Sequence, residues 1–384
     1  MIRGECDPRF LRVREVFARS FEDRLALGAS VAVMVEGRPV VDLWGGFADG
    51  QRTRPWERDT LVNVFSTTKG WTAVVALRLA EEGVLALDAP VARYWPEFAQ
   101  GGKGDIRVRA LLNHRAGLPA IREVLPNEAL WDWHAMTAAL AAEAPWWTPD
   151  ARHGYHAFTY GWLVGEVIRR ASGCSVGQLF RERFAGPLDL DAHIGFGPEH
   201  DARVAELRAS PRPAHATLFD RIMRDPTSMT ARAFANPFSM IVPSTFASRA
   251  WRGAELPAAN GHATARAIAR LYGALANGGA LEGVHVLAPE LIAHASTEHA
   301  CGADAVLETS TRFGLGFMLS QPGRPDAMFG PNEGAFGHPG AGGSVGFADP
   351  KARVGFGYTV NRMGTSILLD PRASALIDAV YRSL

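Results

Sequence analysis

Lysine is nearly absent from this chain. Of its 40 basic residues only Lys69, Lys103 and Lys351 are lysines, and the other 37 are arginines. Arginine effectively never loses its proton, so an amine able to act as a base has three addresses here. Cysteine is as scarce. Cys6, Cys174 and Cys301 are an odd number at distant positions, which fits reduced thiols in a cytoplasm better than a disulfide framework. No stretch approaches the roughly 18 consecutive apolar residues of a membrane span. The first dozen residues carry Arg3, Glu5, Asp7 and Arg9 and hold no apolar run of signal-peptide length. A soluble, cytoplasmic protein with no membrane partner is expected. Charge excess is missing too, 40 basic against 40 acidic residues with no basic stripe among aromatics, so nucleic acid is not an expected partner. Metal motifs are wanting: His153 and His156 lie outside a clear helix, and there is no His-Glu-x-x-His or paired-cysteine pattern. No cofactor is expected. The partner left is a small molecule, and nothing bears on oligomeric state.

What is present is ample apolar material, 47% of 384 residues, for a large buried core. Two β-rich runs around Glu36-Gly37, within Ser30 to Phe47, predict a hairpin. Lys69 to Glu82 is rich in helix formers and stops at Gly83. Helical segments follow at 131–143, 160–171 and 263–277. Strand patterns return at 313–319, 343–348 and 354–361, before an amphipathic helix over 372–384. The sheet is therefore expected to be built from both chain ends, residues 1–88 and 301–384, around a mostly helical insertion, 89–300. No repeats, low-complexity tracts or long linkers break this up.

The chemistry starts at Ser66-Thr67-Thr68-Lys69, at a helix start. Residues three apart share a helix face, so the Lys69 amine can lie beside the Ser66 hydroxyl. A serine is a poor nucleophile until something takes its proton, and a lysine with a depressed pKa can. With 17 serines and three lysines, chance would place such a motif in about one chain in eight. Further elements are therefore needed. One is Tyr155, on a loop before a helix, whose phenol can share the proton relay. Another is Phe336 to Ser344, a glycine-rich turn into a strand, where a backbone can approach substrate closely. A backbone N–H there, placed at Ala341, would join that of Ser66 in an oxyanion hole, each donor worth about 3 kcal/mol.

In this order and at these separations the three elements resemble the superfamily of serine β-lactamases, DD-peptidases and family VIII carboxylesterases, the esterase branch most. Tyr155-His156-Ala157 stands where that superfamily carries Tyr-x-Asn. His338-Pro339-Gly340 stands where β-lactamases carry Lys-Thr-Gly and some relatives His-x-Gly. Leu111 to Pro119 and the helix from Gly161 are also similar. The resemblance implies an α+β fold, an antiparallel sheet flanked by helices with a helical domain inserted and the active site in the cleft between. It implies a serine hydrolase with Ser66, Lys69 and Tyr155 catalytic and His338, Gly340 and His156 at the substrate. Ala157 and His338 replace groups that in the family hold the amide and carboxylate of β-lactams, which favours small or short-chain esters. β-Lactam, peptide or amide hydrolysis, acyl transfer on the same residues, and a non-catalytic ligand-binding protein of the same fold are the alternatives. Two Gly-x-Ser-x-Gly pentapeptides do not fit a nucleophile elbow: Ser175 follows a helix where a strand is needed and is expected to cap the next helix, and Ser344 has no histidine after it. Trp131, Trp133, Trp146 and Trp147 could wall an apolar substrate pocket or simply pack the helical part.

Overall fold

Glu36 and Gly37 take φ of 51° and 76°, a two-residue turn whose twist matches that of the strands it joins. It folds Gly28–Val35 back on Arg38–Gly46, with Val35 opposite Arg38. The computed structural model describes residues 2–209 and 217–384. Around this hairpin grows a nine-stranded sheet in the order Ile2–Cys6, Arg38–Gly46, Gly28–Val35, Val354–Val360, Val345–Asp349, Phe336–Pro339, Met318–Leu319, Ser310–Phe313 and Ala300–Ala303. Every pairing in it is antiparallel. The two chain ends meet at its centre, where Val354 pairs with Val35 and Val360 with Ala29.

Side chains alternate across a strand, so one strand feeds two cores. Val31 and Val33 enter a cluster with Phe10, Phe17, Phe356, Leu376 and Ile377, under the helices Leu11–Glu22 and Pro371–Tyr381. Ala32 and Met34 enter another with Ile268, Leu271 and Tyr272. There the helix Ala265–Ala276 lies directly on the sheet. Glycines make that approach possible: a Cβ at Gly355 would fall 2.2 Å from the Gly273 nitrogen, and one at Gly357 2.2 Å from the Ala265 oxygen. Beyond it the helices Thr68–Glu81 and Thr159–Ser172 pack together, with Trp71 stacked on Phe180 at 5.2 Å. Among the described residues no helix is long and apolar enough to cross a membrane.

Three local features depart from the sequence reading. The edge strand Ile2–Cys6 was not expected. The run 313–319 is two strands, Ser310–Phe313 and Met318–Leu319. Between them Gly316 (φ 81°) lies where a Cβ would come within 2.4 Å of the Ala73 Cβ, on the helix that carries Lys69. The glycine-rich segment begins as a strand, Phe336–Pro339, before it turns.

Candidate active site

Ser66 stands in a single 3-10 turn, Phe65–Thr67, that runs straight into the helix Thr68–Glu81. Phe65 has φ of 44°, a left-handed conformation costly for a bulky residue and held only where surroundings over-determine it. Here its ring is packed edge-on to Phe246 at 5.2 Å. The resulting register puts Lys69 one turn on, 1% exposed. Its Nζ lies 3.2 Å from Ser66 Oγ, 2.7 Å from the Ala157 carbonyl oxygen and 3.0 Å from that of Ala258. Burial holds the Lys69 pKa well below its ordinary value of 10.5. A neutral amine has two N–H donors and one lone pair. In that neutral form the two carbonyls take the donors, which leaves the lone pair for the Ser66 hydroxyl.

Tyr155 is 5% exposed, and its ring centroid is 4.8 Å from Lys69 Nζ. Its loop is pinned by Asp304, whose Oδ1 accepts the N–H groups of Tyr155, Val306 and Leu307 at 3.0, 2.9 and 2.9 Å. The other Asp304 oxygen accepts the Thr311 hydroxyl, which also meets His153 Nε2. Burial pushes the Tyr155 phenol up, opposed by a hydrogen bond with Ser66. The phenol is thus a proton donor at neutral pH.

His338 lies near the end of the strand Phe336–Pro339, its ring 5.9 Å from that of Tyr155. Its Nδ1 lies 2.7 Å from the Pro339 carbonyl oxygen and so carries the proton, leaving Nε2 a lone-pair acceptor without a partner among the described residues. Burial pushes the imidazole down to about 3. It is neutral and cannot replace a lysine's charge. After it the chain turns through Gly342 and Gly343 (φ 86° and 120°), and the N–H of Ala341 has no acceptor among the described residues. Ser344 fastens the turn to the segment that leads into Ser66, its hydroxyl donating to the Val64 carbonyl at 2.7 Å.

Ser66, Tyr155, His338 and Ala341 share one cavity of about 300 Å³. Its remaining wall is mostly apolar, with Leu218, Phe219, Phe234, Met318, Met363 and Ile367 prominent, and no charged side chain lines it among the described residues. Sequence reasoning missed this wall, and it missed Asp304. No local pattern marks them, because the wall comes from several distant segments.

Two expected substrate contacts are corrected. His156 is fully buried, its Nδ1 2.7 Å from the Gly154 oxygen and its Nε2 accepting the Leu118 N–H at 3.0 Å. Both nitrogens serve the loop and it lines no part of the cavity. Gly340 does not line it either. A Cβ there would fall 2.1 Å from the Val64 oxygen, so this glycine lets the turn press against the Ser66 loop. The tryptophans are also elsewhere: Trp131 and Trp133 border a different cavity, which shares no residue with this one. Ser175 caps its helix as expected, accepting the Gln178 N–H at 3.1 Å.

A two-sided antiparallel sheet and a helix-start serine backed by a buried lysine define a class, the serine hydrolases in which lysine partners the nucleophile. The chain belongs to the Beta-lactamase family, which matches residues 13–379. A solved family VIII carboxylesterase is 44% identical with a TM-score of 0.92, both chains covered in full. A penicillin-binding protein homolog from Caulobacter crescentus is 42% identical with a TM-score of 0.91, again in full. The esterase/beta-lactamase LipL of Mycobacterium tuberculosis is 38% identical over 377 residues, 96% of this chain and 85% of that protein.

Proposed function

We propose that this protein is a carboxylesterase working through an acyl-enzyme on Ser66. The observation that carries the reading is the Lys69 amine, desolvated, within hydrogen-bond distance of the Ala157 and Ala258 carbonyls and of Ser66 Oγ at 3.2 Å. As Ser66 attacks an ester carbonyl its proton passes to Lys69, and the N–H groups of Ser66 and Ala341 receive the oxyanion. The Tyr155 phenol gives its proton to the leaving alkoxide and regains one from Lys69. Water then repeats the cycle on the acyl-enzyme.

Esters are favoured over β-lactams by what the cavity does not offer. Its described lining has no charge to hold a carboxylate, His338 presents a lone pair, and the Ala157 carbonyl is taken by Lys69. His338 accordingly borders a neutral ester without donating to it. In this reading the cleft lies between the two-ended sheet part and the helical insertion, with the helix Ala265–Ala276 grouped with the sheet it covers.

The test is a substrate profile of p-nitrophenyl acetate, butyrate and octanoate beside nitrocefin and a D-alanyl peptide, with fluorophosphonate labelling followed by intact mass. An ester should have the highest kcat/KM, and one adduct should form and vanish in Ser66→Ala. Preference for nitrocefin, or an adduct that persists in Ser66→Ala and vanishes in Ser175→Ala, would refute the assignment.

A further inference from the structure

The turn that carries Ala341 is rich in glycine, and a flexible loop makes a poor oxyanion hole, because its donors must be fixed before charge develops. One side chain behind the turn supplies the rigidity. Arg372, 9% exposed, sits at the start of the helix Pro371–Tyr381 and spends all five of its N–H donors. Nε and one Nη2 hydrogen go to the two oxygens of Asp370 at 2.7 and 2.8 Å. The two Nη1 hydrogens go to the carbonyls of Arg362 and Leu25 at 2.8 and 3.0 Å. The last, from Nη2, goes to the Gly342 carbonyl at 2.8 Å, which also accepts the Gly364 N–H at 2.9 Å. Gly342 follows Ala341 directly, so fixing this carbonyl, which belongs to the 342–343 peptide, anchors the turn one residue past the oxyanion donor. Asp370, 5% exposed, orients the fork and caps the helix through the Arg372 N–H at 2.9 Å. The fit is close. A Cβ at Gly343 would lie 2.9 Å from Arg372 Nη2, and one at Gly364 2.0 Å from Asp370 Oδ2.

We propose that the Arg372–Asp370 pair is the positioning element of the oxyanion turn, tying it to three other segments of the chain. This rests on the assignment of the Ala341 N–H to the oxyanion. Lysine cannot substitute, because it lacks the planar fork that reaches four carbonyl and carboxylate partners at once. A second cleft, lined by Leu25, Arg362, Asp370 and Arg372 and sharing Gly364, Thr365 and Ser366 with the wall of the Ser66 cavity, gives a small guanidinium access to the site.

The experiment measures kcat and KM for p-nitrophenyl butyrate, fluorophosphonate labelling rate and melting temperature in Arg372→Ala, Arg372→Lys and Asp370→Asn. Asparagine retains the helix-capping acceptor, so Asp370→Asn decides the matter if Arg372→Ala does not fold. In both Arg372 variants kcat should fall about ten- to a hundredfold with KM within about threefold, and labelling should slow in parallel. Asp370→Asn should show a smaller fall of the same kind. Millimolar methylguanidinium should restore part of kcat to Arg372→Ala and leave the wild type unchanged. A lowered melting temperature with wild-type kcat and labelling would make the pair purely structural and overturn the proposal. An amide-to-ester exchange at residue 341 tests the underlying assignment separately. If it leaves kcat intact, Ala341 is not the donor; if it abolishes kcat while the Arg372 variants keep theirs, only the positioning proposal fails.

Discussion

Lys69 and Lys103 are both buried lysines nested in backbone carbonyls, and they differ by one ligand. Lys103, fully buried, donates to the carbonyls of Gln100 at 2.7 Å, Ala141 at 2.9 Å and Glu143. Three acceptors match the three hydrogens of an ammonium. Desolvation lowers its pKa and the Glu143 carboxylate opposes that. Lys69 has two carbonyls and a hydroxyl, and no carboxylate offsets its desolvation. In the proposed mechanism, exchanging one carbonyl for a hydroxyl and removing the counter-charge is what separates the base from the structural cation.

The largest effect should come from Lys69. Lys69→Arg keeps a charge but cannot accept a proton, so kcat/KM for p-nitrophenyl butyrate should fall about 10³- to 10⁴-fold, nearly as far as in Lys69→Ala. An Arg variant a hundredfold more active than the Ala variant would mean that Lys69 serves as a charge only.

Lys103→Met should do the reverse. It strands three buried carbonyls and should cost about 2–5 kcal/mol in denaturant unfolding. The kcat/KM of the remaining folded enzyme should stay within about threefold of wild type. A hundredfold loss of kcat at full stability would break the comparison.

How much of this was legible in the sequence depends on how local each signal was. Ser66 and Lys69 were readable because three residues along a helix is one face, and the hairpin because Glu36-Gly37 is a two-residue turn. His156 was misassigned for a physical reason: adjacent residues on an extended loop turn their side chains to opposite sides, so lying next to Tyr155 says nothing about facing the substrate. The strand Ile2–Cys6 was hidden by its charges. Its alternation of half-buried and exposed residues, with Arg3 and Glu5 outward, is how an edge strand protects itself. Asp304 and the apolar wall depend on tertiary contacts that no window of sequence contains. The α+β class and the family were legible because their motifs are ordered along the whole chain.

The desolvation argument extends to histidine. Burial pushes His156, His262 and His338 down to about 3, below the ordinary 6.5. The unfolded chain therefore binds their protons first. Stability is complete above about pH 6.5 and is lost as pH falls toward 3, each imidazole contributing up to about 1.4 kcal/mol per pH unit. Denaturant unfolding between pH 7.5 and 4.5 should show this decline with net proton uptake. A flat profile would contradict neutral, buried imidazoles.

The scarcity of lysine makes the central claim directly measurable. Protein labelled with ¹³C and ¹⁵N in lysine alone should give three side-chain signals, assigned by Lys69→Arg and Lys103→Met, with the exposed Lys351 as the solvent reference. At pH 7.5 the account predicts that Lys69 shows the shifts of a neutral amine while Lys103 shows those of an ammonium. A protonated Lys69 in the folded, active enzyme at that pH would contradict it.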